Sequence, residues 1–83
     1  MKVGDIVLYH PADHEPHPNG DAPTPAIVLQ KWEDEYKDAP EGACPCGFNL
    51  RVFIDGGSDW SRQSVRAFKD GNGSAWVEPN VGQ

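Results

Sequence analysis

The sequence predicts an all-β fold, a small five-stranded barrel with two long polar loops. Its apolar residues fall in short β-branched and aromatic runs, none with the period of an amphipathic helix. Clusters of Gly, Pro, Asn and Asp separate those runs. At 83 residues and 9.1 kDa the chain has room for one core, as a single domain over residues 1–83. A doubly wound nucleotide-binding sheet or an α/β barrel does not fit in that length.

The first strand is Val3-Gly4-Asp5-Ile6-Val7-Leu8-Tyr9, with Ile6 and Leu8 on one face and Val7 and Tyr9 on the other. Apolar residues on both faces suit a rolled sheet. From His10 to Thr24 the chain becomes a proline- and histidine-rich loop, with Pro11, Pro16, Pro18 and Pro23, and with Asn19-Gly20-Asp21 as a turn. So long a stretch without secondary structure is expected to be functional or variable surface. Ala26–Trp32 restores the strand pattern, with Pro25 at its start. Glu33–Gly47 is an acidic second loop rich in turn formers.

Phe48–Asp55 alternates most regularly, with Phe48, Leu50, Val52 and Ile54 inward and Asn49, Arg51 and Asp55 outward. Phe53 breaks the polar side and is expected to pack on a loop or a partner. Gly56-Gly57-Ser58-Asp59 turns the chain into a short strand over Ser64–Phe68. A second glycine turn, Asp70-Gly71-Asn72-Gly73, leads to the last strand, Ala75-Trp76-Val77, which stops at Pro79.

Charge narrows the function classes. With 13 acidic against 7 basic residues and a net charge of -6, the chain lacks the positive field that a phosphate backbone requires, so duplex nucleic acid is not an expected partner. No apolar run approaches the roughly 20 residues of a membrane helix, so no membrane partner is expected either. Asp5 and Gly4 interrupt any leader-like apolar region, which places the expected site of action in the cytoplasm. Cys44 and Cys46 are the two cysteines, and a disulfide within Cys-Pro-Cys is strained. A chain of this size buries a modest core, to which self-association or a ligand would add stability.

The opening Val3-Gly4-Asp5-Ile6-Val7-Leu8-Tyr9 is similar to the first strand of many SH3-like small barrels. The wider order runs from that opening through Pro25-Ala26-Ile27-Val28, Asn49-Leu50-Arg51-Val52-Phe53 and the Val65 strand to Gly73-Ser74-Ala75-Trp76-Val77-Glu78-Pro79. It resembles a group of small tailed-bacteriophage and prophage proteins, over most of the chain. Members commonly end in a Gly-Thr-Trp-His-Trp-Pro-Glu type segment, whereas this chain keeps the glycine, one tryptophan and an inverted Glu-Pro. The resemblance implies a viral origin and an SH3-like barrel, with the infected host's cytoplasm as the setting, or the virion as the alternative. It carries over no catalytic residue.

Aromatic residues are the strongest functional lead. Trp32, Trp60, Trp76, Tyr9, Tyr36, Phe53 and Phe68 exceed what so small a core consumes, and aromatic walls stack bases or hold peptide side chains. Arg51, Arg62 and Arg66 lie close by in sequence. The candidate ligand-binding set is therefore Trp60, Arg62, Arg66, Arg51, Trp76 and Tyr9, suited to a small phosphorylated molecule or to a host or phage protein. The bland counterpart is that Trp32 and Trp76 plug the barrel ends while the arginines pair with Asp55, Asp59 and Asp70. Trp60, in a turn-rich stretch, is then the tryptophan least expected in the core.

His10, His14, His17, Cys44 and Cys46 are metal-ligand types, but Cys-x-Cys without a second paired knuckle is a poor zinc signature, so Cys44, Cys46, His14 and His17 are weak candidates and no cofactor is expected. There is no nucleophile elbow and no phosphate-binding glycine loop, and the acidic loop residues read as solvated charge rather than an acid–base pair. The leading expectation is a non-enzymatic binding module that sequesters a nucleotide-like signal or a host factor to counter host defence. The alternatives are a capsid-decorating or neck component of a virion and a small zinc protein. Homo-oligomers fit each of the first two.

Overall fold

The computed structural model describes residues 1–17, 19–20 and 22–80. Pro18 and Asp21, counted above among the turn formers of the first loop, lie outside the described residues. Five strands close a barrel in the order β1-β2-β3-β4-β5, and the described residues contain no helix. They are β1 (Ile6–His10), β2 (Thr24–Trp32), β3 (Gly47–Val52), β4 (Trp60–Arg66) and β5 (Trp76–Pro79). This is the SH3-like all-β architecture that the sequence predicts.

Alternation decides what is inside. Val7 and Tyr9 of β1, Ala26 and Val28 of β2, Phe48, Leu50 and Val52 of β3, Val65 of β4 and Val77 of β5 converge in one buried cluster with Cys46. The inward set read from β3 is correct, with Ile54 partly buried at the edge of the cluster. Each fully buried branched or aromatic side chain contributes about 1.5–3 kcal/mol, so this cluster is the main source of stability. The opposite face of β1 is less covered than its sequence suggests, and Ile6 remains exposed beside Ile27.

Strand boundaries depart from the sequence reading for local reasons. The first strand begins at Ile6 because Gly4 has φ +93° and Lys2–Asp5 closes a turn, with the Asp5 N–H donating to the Lys2 carbonyl at 3.0 Å. The fourth strand starts at Trp60 and ends at Arg66, four residues earlier than the expected start. Trp60 lies opposite Val52 and Arg62 opposite Leu50, which puts a charged residue on the inner side and hides the period-two signal. A bulge at Gln63–Ser64, where Ser64 takes φ +55°, then restores Val65 to the inner face opposite Phe48.

Asn49 organises that irregularity. The register shifts on both of its sides, at Leu29 in β2 and at Gln63–Ser64 in β4. Its Oδ1 accepts the Ser64 N–H and the Trp32 indole N–H, each at 3.0 Å. The barrel turns its corner at this residue. It leaves Trp32 45% exposed on the surface, so Trp32 is not a plug of the barrel end.

Candidate functional site

At one mouth of the barrel, the first loop folds back over the inner face of β4. Asp13 and His14 form a turn flanked by Pro11 and Pro16, with the Glu15 N–H donating to the Ala12 carbonyl at 3.0 Å. This presents the Glu15 carboxylate inward. Its Oε1 accepts the Tyr9 hydroxyl at 2.7 Å and the Ala12 N–H at 2.8 Å, while Oε2 accepts the Arg62 Nε–H at 2.9 Å. The Arg62 guanidinium covers the Trp60 ring at 4.3 Å and donates again to the Ser61 carbonyl at 2.9 Å.

Electrostatics follow from this geometry. Burial alone would raise the Glu15 pKa, but the Ala12 N–H, the Tyr9 hydroxyl and Arg62 together hold it below its usual range. The Tyr9 phenol shifts upward, first because it is buried and then because its partner is a carboxylate. Arg62 is likewise pushed up, since Tyr9 and Glu15 outweigh the burial that acts the other way.

Facing this network across a groove of about 240 Å³ are Tyr36 and Arg66. Tyr36 comes from the acidic second loop. Its backbone N–H donates to the Pro45 carbonyl at 2.7 Å and its hydroxyl donates to the carbonyl of Ser64 at the bulge. Arg66 lies over the Tyr36 ring at 4.7 Å and donates to Asp70 Oδ2 at 3.0 Å. Asp70 is held below its usual pKa first by the Ser74 side chain and also by the Asn72 N–H and Arg66. His14, Gln63, Ser74 and Ala75 complete the walls.

Two further depressions adjoin this groove. One, of about 260 Å³, shares Ser74 with it and is lined by Pro11, Asp13, Lys69 and Trp76. The other, of about 550 Å³ under the second loop, shares Tyr36 and is lined by Asp34, Lys37, Glu41 and Pro45. The first is fixed by Gly73, whose carbonyl accepts the Asp13 N–H at 2.8 Å and whose missing Cβ leaves space for the Asp13 carboxylate.

Of the residues singled out from sequence, Tyr9, Arg62 and Arg66 meet at the central groove, with Trp60 beneath Arg62. Trp60 packs against the core cluster, contrary to its expected place outside it. Trp76 belongs to the adjoining depression, where its ring stacks on His10 at 4.0 Å, and the His10 Nε2 pairs with Glu78 at 2.9 Å. Arg51 is not part of the site. It is exposed on the outer face of β3, opposite Ile27 and Ser61. The expected Arg–Asp pairing holds for Arg66 with Asp70, whereas Arg62 takes Glu15.

The histidines and cysteines do not assemble a metal centre: among the described residues no three His, Cys, Asp or Glu side chains are grouped to hold an ion. Cys46 is buried and its thiol donates to Glu33 at 3.4 Å; burial, then Cys44 and Glu33, push its pKa up to about 11.

Glu15 was not among the residues that the sequence singled out. A lone acidic residue in a polar loop resembles solvated charge, and its one distinguishing mark is the Pro11 and Pro16 frame. Tyr36 was visible only as one aromatic among several. Compared with known protein families, with curated proteins and with solved structures, the chain matches none.

Proposed function

We propose that the chain is a non-enzymatic binding module that seats its partner in the groove at the barrel mouth. One observation carries the reading. The groove gathers residues from both long loops, from β4 and from the β4–β5 connection, and its two arginines lie on aromatic rings, Arg66 on Tyr36 in the groove and Arg62 on Trp60 beneath it, each held by a carboxylate. Groups fixed in this way present aromatic faces and N–H donors with little ordering left to do on binding. In the infected-cell setting that the phage resemblance implies, such a groove would capture a host factor.

A photo-crosslinking residue at Gln63, exposed on the groove wall, is expected to trap the partner in the cell where the protein acts. The same residue at Gln30, exposed on β2, is expected to trap nothing in common with it. Equal products from both positions, or none from Gln63, would remove the groove from consideration.

One observation favours a second reading, a subunit of a larger assembly such as a virion. Ile6 lies beside Ile27, and Leu8 beside Pro25, on the outer face of β1 and β2, with Leu29 exposed beyond them. Sedimentation of the purified protein as a defined oligomer that Leu29→Lys dissociates would support it.

A further inference from the structure

We infer that the partner seated at the barrel mouth is an extended, lysine- or arginine-bearing segment of another protein; the inference rests on the binding-module reading and specifies its ligand. The first argument is charge. Along the three depressions Asp13, Glu15, Asp34, Glu41 and Asp70 stand against Lys37, Arg62, Arg66 and Lys69, and the chain as a whole carries a net charge of -6. Both arginines of the groove are already matched by carboxylates, Arg62 by Glu15 and Arg66 by Asp70. What remains around an incoming ligand is Asp13, Asp34 and Glu41 against Lys37 and Lys69, with Glu35 and Asp38 also in the second loop, a negative balance that disfavours a phosphorylated compound and favours a basic one.

The second argument is shape. The three depressions adjoin through Ser74 and Tyr36, so the site is a trough rather than a single pocket, with Asp13 at one end and Asp34 and Glu41 at the other. The third is the backbone. Along β4, strand pairing on the side away from β3 is limited to Arg66 opposite Trp76. Of that edge, Arg62 to Arg66 line the trough; the Ser64 N–H and C=O are taken by Asn49 and Tyr36, and the backbone N–H and C=O of Gln63 at the bulge are the groups left to meet an extended chain. A compact polyamine would use the charge and leave those groups unused.

The test titrates ¹⁵N-labelled protein with three probes: a nonapeptide of alternating Lys and Thr, its Glu-for-Lys counterpart, and AMP. The basic peptide is expected to shift the amides of Tyr36, Gln63, Ser64, Arg66 and Ser74, and to weaken on the order of tenfold between about 50 mM and about 500 mM salt. The other two probes are expected to leave these amides in place. Asp34→Asn/Asp38→Asn/Glu41→Gln should weaken the basic peptide on the order of tenfold. None of those three side chains forms an ion pair among the described residues, and Asn suits the φ of +54° at position 34, so the fold is preserved.

Equal affinity in the triple variant overturns the charge argument. AMP moving the same amides while the basic peptide does not overturns the inference and keeps the groove as a seat. Shifts confined to the outer face of β1 and β2 overturn both. Silence from all three probes overturns the inference, and the Gln63 cross-link then decides separately whether the groove is a seat at all.

Discussion

Replacing Glu15 by glutamine tests the central network with little change of shape. The carboxylate accepts from Tyr9, Ala12 and Arg62, and its side chain is 14% exposed against 31% for Arg62. A glutamine oxygen can still accept from Tyr9 and Ala12, but its amide then turns N–H groups toward the Arg62 guanidinium. The loss is one partly buried charge-assisted contact plus a weakening of two others, about 2 kcal/mol after allowance for the solvent reaching Arg62. For a domain of this size that corresponds to a fall in Tm of about 8–16 °C. Thermal unfolding followed by tryptophan fluorescence at neutral pH measures it. The pH dependence supplies an independent check. Because the folded pKa of Glu15 lies below its unfolded value of 4.5, its contribution is present above that value and is lost as pH falls through the folded one. Native protein should therefore lose stability below about pH 4.5 more steeply than Glu15→Gln, so the two converge in acid. A variant within about 0.5 kcal/mol of native at pH 7, with an unchanged acid limb, would refute the network as a structural element.

Three further outcomes follow from the same geometry. Gly73→Ala should cost about 2 kcal/mol or more, since it combines φ +77° with overlap on the Asp13 carboxylate, whereas Gly71→Ala, at φ +80° in open space, should cost about 1 kcal/mol; equal denaturation midpoints would contradict this. Asn49→Ala should cost about 1–3 kcal/mol by leaving the Ser64 N–H without its acceptor, and Asn49→Asp should recover much of it, as urea unfolding would show. Iodoacetamide should label half-buried Cys44 well before Cys46, read by mass spectrometry. The raised thiol pKa makes the Cys46 contribution complete below pH 9.0 and lost as pH rises towards about 11, so native protein should lose stability more steeply over that range than Cys46→Ala, and the two should converge in alkali.

The barrel was legible because its strands obey a simple rule. Phe48, Leu50 and Val52 alternate with polar residues, and nothing in the chain repeats at helical spacing. Legibility fails where polar residues face inward. Arg62 sits on the inner side of β4 because the first loop delivers Glu15 to meet it, and that pairing joins residues 47 positions apart. No local pattern encodes such a contact. The same holds for Trp60, which looks like a turn residue until Val52 is placed opposite it. The site was half visible: Tyr9, Arg62 and Arg66 were readable as surplus aromatic and cationic residues, the arginines by their nearness in sequence to Trp60. Arg51 shared their chemistry but not their face, as the alternation of β3 already set it outward, whereas the bulge that Ser64, Asn49 and Tyr36 create together is what alternation along β4 did not show.

The groove lies where the barrel is least firmly closed, and this has a kinetic consequence. Ladders join β1 to β2, β2 to β3 and β3 to β4 over several residues each, while β4 and β5 meet at Arg66 and Trp76 alone. Side chains do the remaining work around that seam, through Arg66 with Asp70, Lys69 over the Trp76 ring at 5.4 Å and the Tyr36 ring against Arg66 and Phe68. Side-chain contacts of this kind open more readily than a shared backbone ladder, so local unfolding should begin there. Native-state hydrogen exchange should find the amides of residues 67–75 exchanging well before those of β2 and β3, at rates that global destabilisation by Leu50→Ala barely changes. Exchange of both regions at one common rate would mean that the barrel opens only as a whole. A seam that opens locally admits a partner without unfolding the core, and filling it would slow exchange at residues 67–75 first.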